Sequence, residues 1–214
     1  MKFNSVIWDW NGTIVDDAWV FVDTMNDFLK KNNLPLISIR DYKKNFCFPI
    51  QKYWKELGFK FNDKEFNLLN KGFITAYKQK MFAPKVHPGI IGVIEKINAE
   101  KVNQFILSAS ENSLLQQSVN FYKLQNLFVD VWGVNNLNAL GKIPLAKKLC
   151  LKYNLEIDKT ILIGDTEYDQ SVAQGIGCDV VLISHGHIEH KRLLKSKEKV
   201  VKSIPELEKV LFSL

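Results

Sequence analysis

The sequence has few cysteines, no long apolar run and no internal repeat. Its three cysteines lie far apart and form no C-x-x-C pair, which argues against a disulfide framework and a zinc site. No segment approaches the roughly 18 uninterrupted apolar residues of a membrane span. The amino terminus runs directly into a candidate strand and shows no signal peptide. We therefore expect a cytoplasmic protein with reduced thiols and no membrane partner.

The composition excludes few functions and is ordinary for a soluble globular protein. A chain of 214 residues can bury one core and carry a smaller attached module. The net charge of +6 suits an anionic ligand, but the lysines are scattered. The densest run, Lys191 to Lys202, predicts a solvated face. No nucleic-acid-binding motif accompanies the charge, so we expect no nucleic-acid partner.

Short apolar runs alternate with helical patterns along most of the chain. This alternation predicts an α/β fold, a Rossmann-like doubly wound parallel sheet with helices on both faces. The five candidate strands are 4–8, 104–107, 129–134, 160–163 and 180–183. The candidate helices of this core are 88–99, 113–123, 144–153 and 168–174.

The pattern changes between Asp16 and Pro84, where no strand is predicted. Amphipathic stretches at helical spacing occupy 18–29, 38–46, 50–57 and 63–81. We therefore predict an inserted α-helical cap domain at residues 16–84. The core domain then consists of residues 1–15 and 85–214.

Two strand ends carry acidic residues. An apolar strand ends on Asp9 and turns at once through Asn11 and Gly12, and a second strand ends before Asp165, with Asp169 four residues later. Ligands bind at the carboxyl ends of strands in open α/β sheets. Helix capping is the alternative role for Asp165 and Asp169. Their pairing with Asp9 on a neighbouring strand end favours metal binding.

Between these acidic sites lie an apolar run that ends in Ser108 and a glycine-preceded Lys142. In this order and spacing, the four pieces resemble the haloacid dehalogenase-like hydrolase superfamily, and within it the phosphatases similar to phosphoglycolate phosphatase. The resemblance covers essentially the whole chain. It implies a helical cap inserted after the first strand and a phosphomonoester hydrolase that acts on a small phosphorylated metabolite.

The resemblance also implies a chemical role for each acidic residue. Asp9 is expected to attack phosphorus and form an aspartyl-phosphate. Carboxylate oxygens of Asp9, Asp165 and Asp169 are the hard ligands that Mg²⁺ prefers. By resemblance, the backbone carbonyl of Asn11 is a further metal ligand. Lys142 is expected to offset the charges of nucleophile and phosphate.

A second set of residues is expected to bind the phosphoryl oxygens. The hydroxyl groups of Thr13 and Ser108 and the backbone N–H groups around Gly12 and Ala109 resemble the loops that hold anions at helix starts. Lys142 adds a positive point charge to this set. We count Ser108 and Lys142 as catalytic as well, together with Asp9 and Asn11.

Asn11 departs from the family pattern, which usually has a second aspartate two residues after the nucleophile. A carboxamide cannot protonate the departing alcohol, and loss of an acid–base group costs about 10² to 10⁴ in rate. Three interpretations stay open: a slow enzyme, a substrate with a good leaving group such as an acyl phosphate, or another acid. The acids considered are Asp16, Asp17 and Glu167.

Two alternative functions stay open. One is a phosphotransferase or mutase, in which a long-lived aspartyl-phosphate is useful. The other is a catalytically impaired protein that binds a phosphorylated ligand, because the carboxamide of Asn11 cannot act as a general acid or base. The sequence leaves the substrate open among phosphoglycolate, sugar phosphates and nucleoside monophosphates, and the oligomeric state open between monomer and homodimer.

Two further expectations concern residues around the site. Trp10 follows the nucleophile and is expected at the substrate entrance, whereas Trp8 is expected in the core. His185, His187 and His190 do not have the i, i+4 spacing of a helical zinc motif. We expect them in a loop at the edge of the active site or in a solvent-exposed turn.

Overall fold

The computed structural model describes residues 2–212. Met1, Ser213 and Leu214, which belong to the predicted core segment, lie outside these described residues. Six parallel strands form a sheet in the order β3-β2-β1-β4-β5-β6. The strands are β1 Ser5–Trp8, β2 Asn103–Glu111, β3 Asp130–Val134, β4 Thr160–Gly164, β5 Asp179–Ile183 and β6 Lys199–Val201. The predicted α/β fold with a doubly wound parallel sheet is confirmed.

Strand β6 corrects the prediction for the carboxyl-terminal part of the chain. It lies inside the run from Lys191 to Lys202 that predicted only a solvated face. Its Val200 and Val201 pair with Leu182 and Ile183 of β5, and Val201 is buried. A strand of three residues next to lysines is too short to show a clear alternation, and lysine is common on edge strands.

Helices cover both faces of the sheet. They are α5 Ile90–Ala99, α6 Asn112–Phe121, α7 Lys142–Tyr153, α8 Glu167–Ile176, α9 His190–Leu193 and α10 Ile204–Phe212. Because successive strand residues point to opposite faces, Val6 and Trp8 of β1 pack with α5, α6 and α10. Ile7 packs with α7 and α8 on the other face.

Four helices lie between β1 and α5, all within the segment predicted as the insert. They are α1 Ala18–Lys31, α2 Ile39–Asn45, α3 Ile50–Glu56 and α4 Asp63–Lys80. Ser38 and Asn62 cap α2 and α4 through capping boxes, in which side chain and backbone satisfy each other at the first turn. Trp54, Phe66 and Phe73 belong to an apolar cluster formed mainly by these helices, with Leu114 of α6 as a further member.

The two chain crossings between insert and sheet lie side by side. A β-bridge joins Val15, just before the insert, to Val86, just after it, and the Asp16 N–H donates to the Lys85 carbonyl. No helix within residues 2–212 combines the length and the apolarity that crossing a membrane requires.

Candidate active site

Three adjacent strands bring the predicted residues to one edge of the sheet. β1 lies between β2 and β4, and Trp8 pairs with both Ile106 and Ile163. Asp9 follows β1, Ser108 lies in β2 and Asp165 follows β4. The chain order reverses at β1, and such a reversal opens a crevice at the carboxyl ends of the strands. Asp9 therefore lies at the centre of the ligand-binding edge.

Lys142 joins two of the carboxylates. It is the first residue of α7, and its Nζ lies 2.6 Å from Asp9 Oδ1 and 2.6 Å from Asp169 Oδ1. The side chains of Lys142 and Asp169 are 2% and 1% exposed. Burial alone lowers the pKa of Lys142, but the charges of Asp169 and Asp9 raise it above its ordinary value. Lys142 is therefore a buried, charged lysine, which distinguishes it from an ordinary surface residue.

Asp165 completes a buried acidic cluster. Ligand oxygens of Asp9, Asp165 and Asp169 lie within 4.8 Å of one another. Burial and the neighbouring carboxylates raise the pKa of Asp9 to about 8. Burial is also the main cause that raises the pKa of Asp165 to about 6. Lys142 is bound directly to Asp9 and Asp169, but one lysine cannot balance three carboxylates. The hard oxygens of this cluster therefore fit a divalent cation.

Asp169 also has the capping role that the sequence left as an alternative. Its Oδ2 accepts hydrogen bonds from the Thr166 hydroxyl at 2.7 Å, the Thr166 N–H at 3.1 Å and the Asp165 N–H at 3.2 Å. These contacts fix the first turn of α8 and, with it, the position of Asp165. Asp169 thus combines a structural contact with a place in the acidic cluster.

The predicted phosphate-binding residues surround Asp9 in different ways. Ser108 is buried, and its Oγ accepts from the Ser110 N–H at 3.1 Å, while Ala109 lines the open cleft. Thr13 is fully buried and lies 3.1 Å from Asp165 Oδ1, to which its hydroxyl donates. The contribution of Thr13 to a bound phosphoryl group therefore stays a prediction.

Gly12 allows the chain to pass close to the acidic cluster. Its φ of +75° lies in the left-handed region that favours glycine. A Cβ at this position would lie 2.3 Å from the His187 ring and 2.4 Å from Asp165 Oδ2. A larger residue would therefore displace Asp165 as well as strain the turn.

The side chain of Asn11 is fixed by three polar partners. Its Nδ2 lies 2.5 Å from Asp17 Oδ2 and 3.1 Å from the Tyr77 hydroxyl. Its Oδ1 accepts from the Ser110 hydroxyl at 2.7 Å. The carboxylate of Asp17 can only accept, so the amide nitrogen must face it. Both N–H groups of Asn11 are consequently engaged within the protein.

Asp17 is a buried anion with several donors. The Tyr77 hydroxyl donates to its Oδ2 at 2.8 Å, and the Gly12 N–H donates to its Oδ1 at 2.9 Å. His187 Nε2 lies 3.2 Å from the same Oδ1. Burial alone raises the pKa of Asp17, but the hydrogen bond and charge of His187 lower it below its ordinary value. Asp17 is therefore an anionic partner of the Asn11 amide.

His187 lies at the active site, one of the two positions expected for its loop, but the sequence did not predict its burial or its contacts. It is buried, its Nδ1 lies 2.7 Å from the Tyr42 hydroxyl, and its backbone N–H donates to Asp165 Oδ2 at 2.5 Å. Burial alone lowers the pKa of His187, but its bond to Asp17 raises it. The His-x-His spacing marked this loop, but no local pattern indicated a contact with Asp17 from 170 residues away.

The three acids considered as replacements for the missing general acid have different surroundings in the structure. Asp17 contacts the Asn11 amide directly. Asp16 is exposed. Glu167 accepts two hydrogen bonds from the guanidinium of Arg192, at 2.6 and 2.8 Å.

Two residues next to the site, Trp10 and His185, are more buried than the sequence analysis predicted. Trp10, expected at the substrate entrance, is 1% exposed, and its Nε1 donates to the Ser118 hydroxyl at 3.0 Å. It packs within the core and contributes to the inner wall of the cleft. His185 is half-buried and stacks on His87 with ring centroids 3.5 Å apart. Trp8 is fully buried, as expected.

An open cleft of about 920 Å³, including its mouth, lies over Asp9, Ser108 and Lys142. Helices α1 and α4 form one side through Phe21, Ile74 and Tyr77.

Comparison with known proteins places this geometry in a family. The model of the haloacid dehalogenase-like hydrolase family matches residues 6–183. No curated protein matches the chain.

Solved structures share the fold over nearly the whole chain. A predicted phosphatase from Clostridium acetobutylicum is 21% identical with a TM-score of 0.84, over 99% of each chain. A haloacid dehalogenase-like hydrolase from Streptococcus pneumoniae is 18% identical with a TM-score of 0.84, over 99% of each chain. A predicted phosphoglycolate phosphatase from Haemophilus somnus is 19% identical with a TM-score of 0.78, over 99% of each chain. At these identities the similarity establishes the fold.

Proposed function

The chain belongs to the haloacid dehalogenase-like hydrolase family, and we propose that it is a Mg²⁺-dependent phosphomonoester hydrolase acting on a small phosphorylated metabolite. The observation that carries this proposal is the placement of Asp9. Its carboxylate lies at the end of a central strand, bound to a buried lysine and within an acidic cluster that opens into a cleft. A carboxylate held in this way can act as a nucleophile towards phosphorus.

The reaction proceeds in two displacements. An oxygen of Asp9 forms a bond to phosphorus while the ester P–O bond breaks, and its electron pair leaves with the departing oxygen. A water molecule then attacks the aspartyl-phosphate, the bond between phosphorus and Asp9 breaks, and inorganic phosphate and the carboxylate are released. The water loses its proton to the phosphate or to solvent.

The protein must keep Asp9 ionised for this attack. Lys142 favours the anionic form through its contact at 2.6 Å, opposing the burial that raises the pKa of Asp9. Asp9, Asp165 and Asp169 would supply carboxylate oxygens for Mg²⁺, and the backbone carbonyl of Asn11 would be the further ligand of the proposed set. When bound, the cation shields the attacking carboxylate from the charge of the phosphate.

We propose that residues 16–84 act as the cap of this site. The helices of this segment supply most of one apolar cluster and contribute Phe21, Ile74 and Tyr77 to the cleft. A cap of this kind excludes water from the reacting groups and contacts the part of the substrate beyond the phosphate.

A second candidate function rests on the contacts of Asn11. Both of its N–H groups are engaged by Asp17 and Tyr77, so it offers no proton to a departing oxygen. This favours a protein that holds a phosphorylated ligand with slow or no turnover. The buried pair of Asp9 and Lys142 supports the hydrolase over this alternative, because a binding protein needs no attacking carboxylate.

A phosphate-release screen tests the proposed function. The purified protein is incubated with a panel of phosphomonoesters, in Mg²⁺ and in EDTA, and inorganic phosphate is measured. The hydrolase predicts release from at least one ester in Mg²⁺, loss in EDTA and recovery on adding Mg²⁺ again. Binding of inorganic phosphate with no release from any ester would contradict it and favour the binding protein.

A further inference from the structure

The cleft over Asp9 has hydrocarbon walls. The side chains that face its open space beyond the acidic cluster are mainly aromatic and aliphatic. They include Phe21, Phe46, Phe48, Ile74, Met81 and Tyr168. Phe48 and Tyr168 pack against each other with ring centroids 4.6 Å apart. A group attached to the phosphate therefore meets apolar surface.

Among the described residues, the cations that line this cleft are already engaged. Lys142 is bound to Asp9 and Asp169. His187 is bound to Asp17 and to the Tyr42 hydroxyl. The carboxylate of Glu111, also in the wall, accepts from Ser113 and Leu114 at the start of α6. A second anionic group of the substrate placed against these walls would lose water without gaining Lys142 or His187 as a free cation, which is unfavourable.

The proton donors of Asn11 and Tyr77, next to the reacting centre, are engaged as well. Asn11 gives its N–H groups to Asp17 and Tyr77, and the Tyr77 hydroxyl donates to Asp17. The departing oxygen must then leave with its electron pair and take a proton from solvent afterwards. A phenolic oxygen, with a pKa near 10 in tyrosine, leaves in this way far more readily than an aliphatic alkoxide.

From the walls and the engaged donors together, we propose that the substrate is the monophosphate ester of a small uncharged phenol. This inference rests on the proposed hydrolase function and names its substrate class. In the first displacement the bond from Asp9 to phosphorus forms and the bond from phosphorus to the aryl oxygen breaks, giving an aryloxide that solvent protonates. The apolar walls bind the ring.

Four phosphate compounds, assayed with wild-type protein in Mg²⁺, separate the effect of ring binding by the apolar walls from the effect of the leaving group. Phenyl phosphate has an aromatic ring and a good leaving group, and benzyl phosphate has the ring with a poor one. Acetyl phosphate has a good leaving group without a ring, and phosphoglycolate has neither. Burial of a ring predicts KM values about 10- to 100-fold lower for phenyl and benzyl phosphate than for the other two. The missing acid predicts kcat values about 10² to 10⁴ higher for phenyl than for benzyl phosphate.

The outcomes distinguish this inference from the proposed function. Phosphate release from phosphoglycolate with kcat/KM equal to or above that of phenyl phosphate overturns the substrate class and leaves the hydrolase standing. Absence of release from phenyl phosphate overturns the substrate class, and absence of release from every ester of the wider panel overturns the hydrolase as well. A phosphotyrosyl peptide that is hydrolysed better than phenyl phosphate overturns the assignment to a small phenol.

A substitution in the wall provides a second test. Ile74→Arg introduces a cation into the cleft, and its matched control, Leu68→Arg, lies on the exposed face of the same helix at 65% exposure. We expect Ile74→Arg to raise kcat/KM for phosphoglycolate relative to phenyl phosphate by at least about 10-fold, with the control unchanged. Circular dichroism checks that both variants fold. An unchanged ratio in folded Ile74→Arg contradicts the role of the walls.

Discussion

Restoring the family's aspartate at position 11 should impair this protein. In the sequence alone, Asn11→Asp is a simple repair of the missing acid. In the structure, the new carboxylate would lie where the Asn11 amide now contacts Asp17 Oδ2 at 2.5 Å. The substitution therefore replaces a donor–acceptor pair by two buried anions.

The cost follows from the separation of the two charges. If the side chains move apart to about 4 Å, repulsion between unit charges amounts to about 4 kcal/mol at an effective dielectric constant of 20. The protein can avoid this only by protonating one carboxyl, whose pKa is then raised in the folded state. Below that raised pKa the folded state holds the extra proton, so the penalty shrinks as the pH falls and is largest at high pH.

Urea unfolding of four proteins measures this effect: wild type, Asn11→Asp, Asp17→Asn and the double variant. We expect Asn11→Asp to lose about 4 kcal/mol of unfolding free energy at neutral pH. The double variant exchanges the amide and the carboxylate, so we expect it to exceed Asn11→Asp in stability by at least about 2 kcal/mol. An Asn11→Asp protein that is as stable as wild type and hydrolyses aliphatic esters faster would refute the role of Asp17.

Two other predictions concern the acidic cluster. If the acidic cluster binds Mg²⁺ as proposed, a concentration about 100 times the Kd should add about 2.7 kcal/mol to the free energy of unfolding, and Asp165→Asn should reduce this gain. Equal thermal stability in Mg²⁺ and EDTA would contradict the metal site. Lys142→Met leaves Asp9 and Asp169 buried without their lysine and should cost about 3 to 5 kcal/mol in EDTA by urea unfolding. The exposed Lys147→Met is its control, and equal losses in both would show that the buried pair contributes little.

Five of the six parallel strands and the acidic residues at two strand ends were predictable from the sequence. Asp9 and Asp165 follow fully buried strands, which produce continuous apolar runs. The sequence also placed Ser108 at the end of the second apolar run and Lys142 after the third candidate strand, although β2 continues past Ser108 to Glu111. Strand β6 was not predictable in this way, because three residues between lysines show too little periodicity.

The hydrogen-bond network around Asn11 could not be predicted from local sequence patterns. Asp17 precedes α1, where an acid usually indicates a helix start, and His187 lies in a loop after β5. Their contact depends on how the insert packs on the sheet and on the buried Tyr42 and Tyr77 beside them. Sequence reasoning named Asp17 among three acids, but only the three-dimensional arrangement connects it to the Asn11 amide.

The most direct test of the account is phosphate release from phenyl phosphate by Asp9→Asn in Mg²⁺, with Asp16→Asn as the matched control. Asp16 is exposed and adjoins the same turn, so its variant should keep wild-type activity. Asp9→Asn removes the attacking charge with little change in size, and we predict a loss of at least about 10³-fold. Retention of more than about a tenth of wild-type turnover in the folded Asp9→Asn protein would contradict nucleophilic attack by Asp9.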